Sequence, residues 1–112
     1  MNNEITTKFC KTFTAEIYMA GDYSFAKHIL QRMAAEEGMC VSLEKVDYIY
    51  TGGFEKGFVI RVINYPRFPS KRTDIKNFAL RIAENVLRDL GQGSCSVVCQ
   101  DETVFMSRRE ND

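Results

Sequence analysis

Few side chains in this 112-residue chain carry chemistry at a spacing that any reaction needs. His28 is the one histidine. It falls within a helical pattern, with no cysteine or serine beside it in a nucleophile motif. Cys10, Cys40, Cys95 and Cys99 are scattered and form no Cys-x-x-Cys. Cys95 and Cys99 would share one strand face, but about 13 Å apart at the rise of an extended chain, too far to chelate one ion. Buried reduced thiols are the expected state of cysteines in a cytosolic setting. Glu36-Glu37 and Asp101-Glu102 are adjacent acids at turns, where solvation is their ordinary role. Gly52-Gly53 is not followed by the Gly-Lys-Ser/Thr of a phosphate loop. No catalytic residue, metal site or cofactor is therefore expected, and an enzyme is not the favoured class.

Binding chemistry is better represented. In Asn64-Tyr65-Pro66-Arg67-Phe68-Pro69-Ser70-Lys71-Arg72-Thr73, three cations precede a helix start. Arg67, Ser70, Lys71 and Arg72 could hold an anion there, since a helix N-terminus offers free N–H groups. Tyr18, Phe54, Arg61, Tyr65, Arg67 and Phe68 are the residues expected to meet a partner, because exposed Tyr, Phe and Arg are common interface anchors. Phe54 in particular stands at an expected hairpin tip, where an aromatic ring has little to pack against.

These groups must be positioned by a small set of elements. Odd positions from Phe9 to Met19 are apolar apart from Lys11, and this period of two marks a half-buried strand. Gly21-Asp22 breaks it, and Asp22 or Ser24 can cap a helix carrying Ala26, Ile29, Leu30, Met33 and Ala34 on one face. Gly38 ends that helix. A second strand runs from Met39 to Tyr50, and its apolar phase changes near Glu44-Lys45, which suggests a bulge. Residues 51–57 supply a glycine-rich hairpin connection, and residues 58–65 form a central strand that Pro66 terminates. Ile75, Phe78, Ala79, Ile82, Ala83, Val86, Leu87 and Leu90 trace the clearest helical face. Ser94 to Cys99 is a fourth strand, and Thr103 to Met106 continues it or forms a short fifth.

The order β-α-β-β-α-β predicts an α+β fold: a ferredoxin-like βαββαβ sandwich, an antiparallel sheet with two helices on one face. Strands one and three should be central. The other sheet face is left free, with Glu16, Tyr18, Val59, Arg61, Ile63 and Tyr65 on it, and Glu16 can pair with Arg61 across strands. Residues 1–112 suffice for one domain, with residues 1–7 and 107–112 expected to be flexible.

Lys+Arg and Asp+Glu are both 15, so the chain lacks the basic excess of a general nucleic-acid binder. No apolar run suits a signal peptide or a membrane span, so the expected setting is cytoplasmic and without membrane contact.

Ile17-Tyr18-Met19-Ala20-Gly21 and Lys56-Gly57-Phe58, with the order of elements, resemble the two signatures of the RNA-recognition motif. That resemblance implies base stacking by Tyr18 and Phe58. Val59 and Ile60 depart from it. Ile49-Tyr50-Thr51-Gly52-Gly53 and residues 64–69 are similar to small phage and mobile-element proteins. Inhibitors of bacterial defence, anti-CRISPR proteins among them, are small domains of this kind. The function expected is a non-enzymatic interaction protein of phage type that binds a larger host protein, with homodimerisation through the free sheet face. RNA binding through Tyr18, Arg61, Tyr65, Arg67, Lys71 and Arg72 is an alternative. A small-ligand-binding dimeric α+β barrel is a second.

Overall fold

The computed structural model describes residues 4–109. β1 is Thr14–Ala20, α1 Tyr23–Glu37, β2 Ser42–Tyr50, β3 Gly53–Ile63, α2 Arg72–Leu90, β4 Ser94–Cys99 and β5 Thr103–Ser107. All pairings are antiparallel, in the order β2-β3-β1-β4-β5. β1 and β3 are inner strands and both helices cover one face, as the ferredoxin-like pattern requires. The fifth strand, which extends the sheet beyond β4, departs from the strict four-stranded form.

Asp22 starts α1: its Oδ1 accepts from the Ser24 and Phe25 amides at 2.8 and 3.2 Å. Gly38, with φ of 69°, ends it in the left-handed conformation that favours glycine. Ala26, Ile29, Leu30 and Met33 of α1 meet Ile75, Ala79, Ile82, Ala83, Val86 and Leu87 of α2 over the sheet. From the sheet come Ala15, Ile17 and Met19, then Phe58, Ile60 and Val62, then Cys95 and Val97. Each set alternates along its strand, so one sheet face is dry.

The strands differ from the sequence expectation in several respects. β1 begins at Thr14, and Phe9 is 89% exposed. Phe13 and Lys11 are held by Asn64 instead of a strand partner: the Asn64 amide donates to Phe13 O and its Nδ2 to Lys11 O. β2 has no bulge, because its register runs unbroken from Ser42↔Arg61 to Tyr50↔Gly53. Its apolar phase changes because the strand leaves the helices: Leu43 packs against the core, whereas Val46 and Tyr48 lie on the opposite face. The connection shrinks to the turn Thr51-Gly52, Gly52 having φ of 90°, and β3 therefore starts at Gly53.

β1 leaves the ladder at Ala20↔Gly57, so the hairpin beyond is a two-stranded arm. The chain is elongated, 58 × 30 × 29 Å. Of the ends expected to be flexible, residues 1–3 and 110–112 lie outside the described residues. Ser107 belongs to β5, and the Arg108 amide donates to Gly93 O at 2.7 Å, which ties this stretch to the sheet. Among the described residues no helix is long and apolar enough to cross a membrane.

Candidate functional site

The face opposite the helices carries a trough of about 250 Å³ beside the root of the arm, bounded by Tyr18, Tyr48, Tyr50, Glu55, Ser96 and Phe105. Strand pairing explains the grouping. Tyr48 lies opposite Glu55, and Tyr18 opposite Ser96, which in turn lies opposite Phe105. Alternation puts all of these on one side of the sheet. Gly57 leaves room for the Tyr48 ring to lie against β1. A Cβ there would meet Met19 O at 2.5 Å and would collide with the Tyr48 ring.

Tyr48 is fixed by its hydroxyl, which accepts from the Met19 amide at 3.1 Å and donates to Phe58 O at 2.7 Å. It thus bridges Met19 and Phe58, a pair in the β1–β3 ladder. Burial pushes the Tyr48 phenol up from its usual range, so it stays a neutral donor. The Tyr50 hydroxyl reaches Glu55 Oε1 at 3.4 Å. Three tyrosine rings, one phenylalanine ring and one carboxylate border the trough. Such a lining suits a planar base and an organic cation, because aromatic faces attract cations and stack on bases.

Further along the same face, Arg61 donates from Nε to Glu16 at 2.8 Å and from NH1 to Glu44 at 2.6 Å. The Glu16 pairing is the one expected. Glu44 first, then Glu16, hold the Arg61 guanidinium even more firmly protonated. Val59, beside them, is only 2% exposed although it faces away from the helices.

The structure divides the residues singled out from sequence. Tyr18 and Arg61 share the open face, two registers apart. Phe54 is on the arm, but its alternation points it to the helix side. Tyr65, Arg67 and Phe68 lie past the far end of β3, where Tyr65 forms a bridge with Phe68 and Arg67 stands 5.4 Å over the Phe68 ring. Cys40 Sγ and the Tyr65 hydroxyl are 3.3 Å apart, and that contact raises the Tyr65 phenol above its usual value. Ser70 donates its amide to Asn64 Oδ1, and Lys71 gives α2 no side-chain cap. Arg67, Ser70 and Lys71 are exposed in this loop, and Arg72, also exposed, begins α2. Phe58 cannot stack on a base, because it is fully buried under the helices. Among the described residues no three His, Cys, Asp or Glu side chains gather as a metal site would need.

Tyr48, Tyr50, Glu55 and Phe105 were not singled out from the sequence. Starting β3 at Phe58 left Glu55 in a loop, where it has no strand partner. The even-numbered run Val46, Tyr48, Tyr50 was the available signal, once the strand is allowed to overhang the helices.

A second cavity, about 660 Å³, lies on the helix side of the arm. Asp22, Tyr23 and Ser24 of the α1 start face Lys45, Asp47 and Lys56 across it. Here the Lys45 ammonium sits 5.0 Å from the Tyr23 ring centre, covering that face.

The architecture is that of a ferredoxin-like α+β sandwich with an added edge strand and an open aromatic face. It is shared over nearly its whole length with solved phage proteins. A phage SAM lyase in the apo state matches with a TM-score of 0.67 and 13% identity, covering 97% of this chain and all of that one. A phage SAM lyase in complex with S-methyl-5'-thioadenosine matches with a TM-score of 0.62 and 11% identity, covering 98% and 100%. No protein-family model and no curated protein sequence matches the chain. The likeness defines the fold and places the chain's structural neighbours among phage proteins.

It also overturns the non-enzymatic host-protein inhibitor expected from sequence. That expectation rested on the lack of a catalytic motif, and an enzyme occupies this same fold from end to end. Missing motifs are thus no argument against catalysis on this scaffold.

Proposed function

We propose that this chain is a phage enzyme that cleaves S-adenosylmethionine (SAM) and releases S-methyl-5'-thioadenosine, with the substrate bound in the open-face trough. The observation that carries this reading is the lining itself: Tyr18, Tyr48, Tyr50 and Phe105 around the single carboxylate of Glu55. The full-length likeness to two SAM lyase structures supports the class. The larger cavity is less suited, because its one ring already bears an ammonium.

The substrate needs little covalent help. Its sulfonium sulfur is a good leaving group, and the bond from sulfur to the γ-carbon of the amino-acid part is the one that breaks. The electron pair of that bond passes to sulfur, which leaves as a neutral thioether. The γ-carbon is captured by the substrate's own carboxylate, closing a five-membered lactone, so no water enters and no proton is lost. A cation and an anion cancel as this proceeds. Surroundings poor in water favour such a step, since the separated charges lose more solvation than the transition state does. The tyrosine rings line the trough and attract the sulfonium at binding.

Glu55, held by Tyr50, takes the substrate's α-ammonium and so directs the carboxylate towards the γ-carbon. Orientation of this kind is worth a large part of a barrier. Purified protein incubated with SAM should yield S-methyl-5'-thioadenosine and the lactone by liquid chromatography and mass spectrometry. Folded protein that leaves SAM intact would overturn the proposal.

A further inference from the structure

The 660 Å³ cavity on the helix side of the arm is separated from the trough by the sheet, so one ligand cannot fill both. Its charged lining is Asp22 and Asp47 against Lys45 and Lys56. Asp47 and Lys56 are direct cross-strand partners, yet among the described residues neither has an ion-pair partner. Opposite charges in that position ordinarily attract each other. Lys45 is turned onto Tyr23. The cavity therefore presents a separate anionic and a separate cationic group.

We propose that this cavity is a second binding site, for a small zwitterion of the α-amino-acid class. The ligand's ammonium meets Asp47 and its carboxylate meets Lys56, with Lys45 adjacent. Two carboxylates disfavour a phosphate, and two ammonium groups disfavour a divalent cation. A ligand with both charges cancels both sets of groups. The cavity also falls within the size range of small-molecule sites, roughly 300–1,000 Å³. The site is independent of SAM cleavage.

The test is an NMR titration of the ¹⁵N-labelled full chain with L-methionine, inorganic phosphate and Mg²⁺ in turn. L-Methionine should give saturable shifts at residues 22–24, 45–47 and 56–57, and the other two should not. D47N and K56Q should each weaken binding about three- to tenfold, in line with partly exposed charge pairs. The exchanged pair D47K/K56D should recover binding, because a zwitterion can bind reversed. E55Q should leave these shifts unchanged even if it abolishes SAM cleavage. The proposal is overturned by a response to phosphate or Mg²⁺ alone, by no saturable response to L-methionine, or by shifts that survive both single variants. Asp47, Glu55 and Lys56 are all exposed, so the variants should fold, and an unchanged far-ultraviolet circular dichroism spectrum verifies it.

Discussion

The two faces of this sheet are built from the same strands and do opposite things. Under the helices, Ile17, Ile60, Ile82 and Val97 are fully buried, and aliphatic packing is continuous. On the other face, Tyr18 is 36% exposed and Ile63 40%, and a charged triad lies across three strands. Stability belongs to the first face, and the proposed recognition to the second. The alternation of a strand lets one sequence serve both, one residue in two for each purpose.

Substitution at neighbouring positions of β3 should separate the faces most sharply. Ile60→Ala removes a fully buried side chain between sheet and helices, and should cost about 2–5 kcal/mol of unfolding free energy. Ile63→Ala, on the open face, should cost less than about 1 kcal/mol. Urea denaturation of both variants provides the comparison. Equal losses would mean that the open face is covered in solution.

The next largest effect is expected in activity. Glu55→Gln keeps the shape of the trough but removes its carboxylate. If Glu55 orients the α-ammonium, kcat/KM for SAM should fall about 100-fold, equivalent to about 2.7 kcal/mol. The melting temperature should hardly move, because Glu55 is exposed. A variant with full activity would remove the trough from the reaction, whatever the fold.

The dry face should also be visible in the pH dependence of stability. Cys95 is 4% exposed, and burial pushes its thiol from 9.0 up to about 11. Below pH 9 the thiol is neutral in both states and nothing is lost. Between 9 and 11 the unfolded chain gives up its proton first, so stability falls as pH rises. The loss is bounded at about 2.7 kcal/mol, from 1.36 kcal/mol per pH unit. Cys99, Tyr48 and Tyr65 are raised as well and add to the same trend. Cys95→Ala should flatten part of the decline, measured as the wild-type-minus-variant difference in unfolding free energy from pH 8 to 11.

Much of this division was legible in the residues. The face of α2 from Ile75 to Leu87, the alternation of Ala15, Ile17 and Met19, and the Glu16–Arg61 pair all follow from periods of 3.6 and 2. Those patterns record burial, and burial is local in sequence. The trough was not legible, because it depends on where strands end. Glu55 gains its neighbours only when β3 runs back to Gly53, and Phe105 only when β5 pairs with β4. The anchors chosen for their residue type, Phe54, Tyr65, Arg67 and Phe68, are dispersed by the fold to the arm's other side and to the far loop. Residue type alone carries no information about such long-range placement.

The smallest effect concerns Arg61, and it probes what the open face meets. Its two ion pairs are half in water: the Arg61 side chain is 37% exposed, Glu16 33% and Glu44 58%. Exposed pairs of this kind are worth about 0.2–1 kcal/mol each, and screening reduces them further. Arg61→Gln should therefore cost no more than about 1–2 kcal/mol in low salt, the remaining repulsion between Glu16 and Glu44 included. The cost should shrink in 0.5 M salt, where the Debye length falls to about 4 Å. Denaturation at the two salt concentrations measures both. A monomeric face gives that small, salt-sensitive loss. A loss well above 2 kcal/mol that salt does not reduce, together with a lower mass by light scattering, would instead place Arg61 and the nearly buried Val59 in a dry contact between two copies of the chain. The open face would then support the homodimer expected from the sequence, and the trough beside it would be reached from the rim of that contact.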